Sequence, residues 1–481
     1  MTRRFLLYFF LLVSITSCKK YLDVNTDPNN ATDVPPKLLL PTTTVGIAWA
    51  NGNALGRAAA ILMQYNAGLA GDPAAFDVYS LEGSFDNQWN FEIYNGSINN
   101  LKILIDKTKT ESPAYSGIAR LEMAYAFSLA TDLWGDVPYS QAGYGLQFSQ
   151  PRFDTQKDIY LGNPSLGIQS LFSLVRDGLA DLDKPSSLKP GADDIVYAGD
   201  LTKWKRMGNT LLLKFAMQIS NIAPDTTKSV INSVIAGNNY INDNTQDFEV
   251  KFNTSVNNQN PYYAFDILNR PDEEMMSSRF LALMRSLNDT VRLSKYYTKP
   301  NGVFSGYENG STFTPPTRPN RSRYNVYVTG TSGEAPVRLI TNFQRAFILA
   351  ESALVFATSG DANALYQEGI KASMKKTGMT DAEITNYFAT NPTIVNLSGT
   401  TDEKRKQIIT QKYIAFVGNA VEAYNDYRRT GYPVLAVSSN AKGDDPNTIP
   451  KRLPYVIIEA ERNPNQPNPR PRTNEKLWWG L

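Results

Sequence analysis

Apolar residues in this chain return every three or four positions, and that spacing commits it to a helical fold. Ile168, Leu171, Phe172, Val175, Leu179 and Leu182 fall on one side of a helix with 3.6 residues per turn. Ile118, Leu121, Tyr125, Leu129 and Leu133 do the same, as do Leu201, Trp204, Gly208, Leu211, Leu212, Phe215 and Ile219. Similar patterning predicts helices near 54–70, 86–107, 226–236, 277–287, 340–358, 362–376, 380–389 and 403–429. Strand signals are short, near 248–252, 324–328 and 454–458, with no alternation long enough for a barrel or sandwich. Neighbouring helices pair at the size used by helix-turn-helix solenoids, although no clean repeat of about 34 residues emerges.

Composition removes several kinds of chemistry. Histidine is absent from all 481 residues, which excludes Ser-His-Asp and Cys-His catalysis and His-ligated metals. The single cysteine, Cys18, allows no internal disulfide and no Cys-rich zinc site. No phosphate-binding glycine loop or calcium loop of EF-hand spacing occurs, so no cofactor and no metal is expected. The chain carries 48 basic and 46 acidic residues. Removing a leader with Arg3 and Arg4 balances them, which argues against nucleic acid as a partner.

That leader is legible. Arg3 and Arg4 precede the apolar run Phe5 to Val13, too short for a bilayer span of ~20 residues and right for a signal peptide. Ile15-Thr16-Ser17-Cys18 resembles the bacterial lipobox, which implies acylation of Cys18. Lys19, where Asp would favour the inner membrane, points to the outer membrane. Residues 1–17 are thus expected as a signal peptide and 18–40 as a turn-rich, lipidated tether. Residues 41–481 form one domain, with loop insertions near 237–275 and 296–336.

Loops supply the candidate binding residues. Tyr79, Phe85 and Trp89 lie among polar residues such as Asn87, and Asn260 precedes Tyr262 and Tyr263. The third loop carries Tyr307, Arg321 and Tyr324. Aromatic faces stack on sugar rings, while Asn and Arg bond hydroxyls. Asp272, Glu273 and Glu274 read as the acidic start of a helix. Trp134 reads as a buried residue at a turn, Arg428 and Arg429 as an ion-paired helix end, and Trp478-Trp479 as a tail that docks on the body.

Six segments together resemble the SusD/RagB family of outer-membrane lipoproteins, in particular its SusD-like branch. They are CKKYLDVNTDPNN (18–30), TDLWGDVPYSQA (131–142), LTKWKRMGNTLLLKFA (201–216), QKYIAFVGNAVEAYNDYRRTGYP (411–433), IPKRLPYV (449–456) and KLWWG (476–480). The resemblance implies a mainly α fold, with tetratricopeptide-like helical pairs as a scaffold, long irregular loops and a few short strands. It also implies a lipid-anchored protein facing the cell exterior, which captures glycan or peptide and passes it to a SusC-type TonB-dependent transporter. Three other readings stay open: a peptide binder of the same family, a carboxylate-based glycosidase, and a helical scaffold that binds only proteins.

Overall fold

Helix pairs build the scaffold of the computed structural model, which describes residues 34–481; the signal peptide, the lipobox and Cys18 lie outside the described residues. Pro113–Trp134 packs on Leu171–Asp181, and Leu201–Gln218 on Pro224–Gly237. Asn342–Phe356 packs on Ala362–Lys376, and Thr401–Ala415 on Ala420–Thr430. Lateral contacts between Leu171–Asp181 and Leu201–Gln218, between Leu201–Gln218 and Asn342–Phe356, and between Asn342–Phe356 and Thr401–Ala415 join the pairs into one tetratricopeptide-like stack. Local sequence sets the ends. Asp200, Ser170 and Thr341 accept backbone N–H bonds at helix starts, and Thr380 and Thr400 form full capping boxes with Glu383 and Glu403. Gly135 ends the Pro113–Trp134 helix at φ +89°, a conformation that a Cβ would strain.

The apolar faces meet in one continuous core that holds Trp134, Trp204, Leu211, Phe215, Phe347 and Trp479 at or near zero exposure. The C-terminal tail closes this core. Trp479 donates its indole N–H to Asp132 at 3.1 Å, while Trp478 is only partly covered. Three two-stranded antiparallel sheets stitch the loops to the scaffold: Asn66–Gly68 with Glu274–Met276, Val137–Pro138 with Phe153–Asp154, and Phe248–Val250 with Val337–Ile340.

Several expectations change. The folded body begins before residue 41, because a helix runs over Pro36–Gly52 and buries Leu39, Leu40 and Ile47. Pro35 and Pro36 sit at its N-cap and first turn, where a missing N–H costs nothing. The region 86–107 is a π-helical segment, Gln88–Ile98, continued by the α-helix Asn99–Thr108. The stretch 403–429 divides at Gly418, whose φ of +88° separates two helices. Residues 324–328 hold a short helix, Val326–Thr329, rather than a strand. The expected strand at 454–458 instead leads into the helix Ile457–Arg462. The Asp272–Glu274 acids do not start a helix, since Glu274 opens a strand paired with Gly68.

Glu122 fastens the first helix to the scaffold, accepting hydroxyl bonds from Thr43 at 3.0 Å and Thr44 at 2.5 Å. Burial pushes its carboxyl up from 4.5 to about 8, against the pull of those two bonds. The folded chain therefore holds a proton there that the unfolded chain releases above about pH 4.5. Stability from this group is full below that pH and falls as pH rises towards 8, by roughly 5 kcal/mol at most. Glu122→Gln, which never ionises, is expected to raise Tm relative to wild type at pH 8 but not at pH 4.5. Thermal unfolding of both proteins at the two pH values checks this, and an equal change at both would contradict it.

Candidate functional site

Seven of the expected ligand residues are packing residues. Trp89 is 2% exposed, packs edge-on against Trp134 at 5.1 Å, and donates its indole N–H to Glu459 at 3.3 Å. Phe85 stacks on Phe76 at 5.5 Å. Tyr79 is buried, and its hydroxyl accepts the Ser438 N–H at 2.8 Å. Asn260 caps the turn Pro261–Tyr263 and donates its amide to the Ala335 carbonyl at 2.9 Å. Tyr262 and Tyr324 meet edge-on at 5.6 Å, and Tyr324 stacks on Tyr297 at 5.2 Å. The Tyr307 hydroxyl donates to carbonyls of its own loop, at Ser311 and Phe313. A ring enclosed on both faces offers none to a sugar, so direct stacking by these residues gives way to a structural role. Arg321 is also largely committed, to the Pro316 carbonyl at 2.8 Å and to Asp272 at 3.2 Å. Asn87 is exposed and Tyr263 half-buried.

A different set of residues forms an open polar and aromatic rim. Its centre is Arg57, on the helix Ala54–Leu62. The guanidinium lies 3.7 Å from the centre of the Phe265 ring and donates to Asn53 Oδ1 at 2.9 Å. Asn53 in turn donates to Glu92 at 2.6 Å, and Gln88 donates to the same oxygen at 3.3 Å. Trp49 reaches that carboxyl from the Pro36–Gly52 helix and packs towards Phe252 at 6.4 Å. Phe91, one residue before Glu92, is 64% exposed. Trp49, Asn53, Glu92, Phe252 and Phe265 are each partly open to solvent.

Two π-helical segments aim these groups. Gln88, Phe91 and Glu92 lie on Gln88–Ile98, and Phe265 and Asp266 on Ala264–Asn269. The wider turn of a π-helix re-aims side chains relative to an α-helix, and such segments concentrate at functional sites. Behind the rim lies a buried charged layer in which Arg323 approaches Asp266 at 3.3 Å and Asn66 donates to Glu274 at 3.0 Å. Burial raises the carboxyls of Glu92, Asp266 and Glu274, and the nearby Arg57 and Arg323 charges partly offset it. Burial lowers Arg57, while Glu274, Tyr262 and Glu92 pull it back up. The layer thus holds Arg57 rigid, and Arg57 sets the Asn53–Glu92 pair at the surface. Rings with open faces beside fixed amide and carboxylate groups can stack on and bond a polyhydroxylated ligand. Among the described residues no group of three or more His, Cys, Asp or Glu has the geometry to hold a metal ion.

Sequence reading missed Trp49 and Arg57 because they sit on regular helices, where a polar or aromatic residue reads as ordinary patterning, and Asn53 because it is the single-residue break between those helices. Phe252 and Phe265 fall in a loop read as a candidate, yet nothing in sequence marks them as the partly open rings.

A family model described as SusD-like, "Starch-binding associating with outer membrane", matches residues 28–456. Among solved structures, a chitin-binding protein superposes with a TM-score of 0.78 at 22% identity, covering 93% of this chain and 100% of its own. A chitin-binding SusD homolog from Flavobacterium johnsoniae gives 0.78 at 21% identity, over 93% and 98%. A SusD homolog from Bacteroides uniformis gives 0.74 at 23%, over 93% and 98%. At such identities the likeness establishes a shared fold. No curated protein matches the sequence.

Arg57→Ala removes the charge that partly offsets the burial of Glu92, Asp266 and Glu274, and it leaves the Asn53 amide oxygen without its donor. The expected loss is about 3 kcal/mol in urea unfolding at pH 7. Arg57→Lys keeps the charge without the planar stack on Phe265, and is expected to lose less.

Proposed function

The chain belongs to the SusD-like family, and from that we propose that it is a surface-exposed outer-membrane lipoprotein that binds a polymeric glycan and delivers it to a SusC-type TonB-dependent transporter. The observation that carries this reading is the rim of Trp49, Phe252 and Phe265 around the Asn53–Glu92 pair, with the exposed Phe91 beside Glu92 on the same π-helical segment. Sugar rings have one apolar face and an equatorial ring of hydroxyls, and the rim offers a partner to each. Asn87 and Tyr263 remain in the proposed surface, since both reach solvent. The family description names starch and the outer membrane, and two structural relatives are named for chitin. In this reading Cys18 carries the lipid anchor. Among the described residues no helix is long and apolar enough to cross a membrane.

Binding without catalysis fits the placement of the most perturbed carboxyls. Glu122, Asp266 and Glu274 are all buried, and Glu92, the raised carboxyl on the rim, is tied up by the amides of Asn53 and Gln88. A glycosidase would release reducing ends from the oligosaccharide it binds, and no release is the expected result.

Calorimetric titration of the soluble form beginning at Lys19, against a panel of starch, chitin and other oligosaccharides together with peptides, tests the proposal. Saturable binding to a glycan is expected. Phe91→Ala is expected to weaken it by about 1–2 kcal/mol, or roughly 5- to 30-fold in Kd, with unchanged stability because Phe91 is exposed. Binding to peptides alone would replace the ligand class, and glycan binding untouched by Phe91→Ala would move the site elsewhere.

A further inference from the structure

A second feature lies further along the same helical rod. A cleft of about 260 Å³ opens beside the helix Asn99–Thr108, and its lining includes Lys102, Asp106, Lys109, Arg120 and Tyr144. Between Phe91 and the first cleft residue, Lys102, the chain advances 11 residues, roughly 16 Å at about 1.5 Å per residue, and no rim residue lines the cleft. Lys102 and Lys109 both bridge Asp106, the latter at 3.0 Å. Arg120 pairs with Asp181 at 3.0 Å, and Lys184 joins the same carboxylate at 2.6 Å. With Asp177, which accepts from the cleft-lining Gln169 at 2.6 Å, four cations meet three carboxylates, which leaves one positive charge in surplus.

An apolar segment follows the cleft-lining Tyr144. Leu146, on the short helix Gly145–Phe148, is 96% exposed. Tyr144 is 42% exposed, carries the Lys102 ammonium 4.4 Å above its ring, and packs edge-on with Phe148 at 5.7 Å. The start of the described chain is fastened to the same helix, where Lys107 donates to the Val34 carbonyl at 3.0 Å. Fifteen residues separate Cys18 from Val34. Fully extended they reach at most about 55 Å, so a lipid on Cys18 keeps this face within reach of the bilayer surface.

We infer that this face rests on the membrane, with an anionic lipid headgroup in the Lys102–Lys109–Arg120 cleft and with Tyr144 and Leu146 in the interfacial layer. The inference rests on the lipid-anchored reading above. Cations around an exposed apolar and aromatic tip suit an anionic interface, where apolar burial and attraction to lipid charge act together. The core of a protein interface is depleted of charge instead, so the ring of cations favours lipid over a protein partner. The anchor supplies a high effective concentration, and weak headgroup binding is enough to fix the orientation of the body.

Co-sedimentation of the unacylated soluble form with phosphatidylcholine vesicles, with and without phosphatidylglycerol, is the test. Binding is expected only with phosphatidylglycerol, and it falls as salt rises. Lys102→Gln with Lys109→Gln is expected to weaken partitioning roughly thirty-fold, about five-fold per lysine. Leu146→Glu is also expected to weaken it, and all variants keep the wild-type Tm and glycan affinity. Absence of binding to phosphatidylglycerol vesicles, or wild-type binding by the variants, overturns the inference. So does loss of transporter co-purification in variants of a protein that ignores vesicles, which would assign the face to a protein partner. Palmitate labelling of the full chain, lost in Cys18→Ser, reads the anchor separately. A labelled Cys18 with no vesicle binding overturns this inference alone.

Discussion

Arg429 is held with its guanidinium between two carboxylates in the middle of the protein, and the scaffold is organised around that contact. It meets both oxygens of Glu351 at 2.7 Å and Asp426 at 2.8 Å, with no exposed surface. Lys412 also binds Asp426 at 2.8 Å, Arg405 binds Glu351 at 2.9 Å, and Lys214 lies 3.2 Å from Glu422 and 3.6 Å from Asp132. These residues come from five helices: Pro113–Trp134, Leu201–Gln218, Asn342–Phe356, Thr401–Ala415 and Ala420–Thr430. Arg429 and the neighbouring cations hold Glu351 down at about 2 despite its burial. A buried network of this kind adds little net stability over a well-packed apolar core, but losing one partner leaves a charge stranded. Its effect is on register: helices that bury apolar faces can slide, whereas helices that share charges at fixed positions cannot.

That rigidity matters because the rim is assembled from distant parts of the chain. Trp49, Asn53 and Arg57 come from the first two helices and the residue between them, Gln88, Phe91 and Glu92 from one π-helical segment, and Phe252 and Phe265 from the loop after residue 237. Asn51 donates to Asn419 at 3.2 Å, and Tyr65 stacks on Tyr413 at 4.5 Å. Such contacts tie the segment that carries the rim to the helices that carry the ionic network. The Phe248–Val250 strand, paired with Val337–Ile340, fixes the root of the third contributor. The helix pairs thus act as a frame, and the binding surface is made by what projects from it.

Periodicity made the frame legible. Each strong 3.6-residue pattern became a helix, and the Ala362–Lys376 helix has the bounds that its spacing predicts. Gly135 and the docked Trp479 were also readable, because turn chemistry and a terminal apolar pair have few uses. The π-helical segments were not, since Gln88–Ile98 has the same residue types as an α-helix and differs only in how its backbone bonds are shared. The candidate site suffered from a related ambiguity. Trp89 and Phe91 lie two residues apart on one segment, yet one is buried against Trp134 and the other stands in solvent. Aromatic type alone gives both the same reading, because large rings serve cores as readily as sugars. Loop tyrosines such as Tyr297, Tyr307 and Tyr324 likewise pack the loops that hold them.

Hydrogen–deuterium exchange with and without a bound glycan oligomer tests the placement of the ligand surface most directly. If the rim binds glycan, exchange slows at 88–98 and 264–269, the two π-helical segments, and stays unchanged at 76–85 and 297–324, where the buried loop aromatics lie. Protection confined to 297–324, or none in either π-helical segment while the oligomer is bound, would contradict a binding surface centred on Asn53, Glu92 and Phe91.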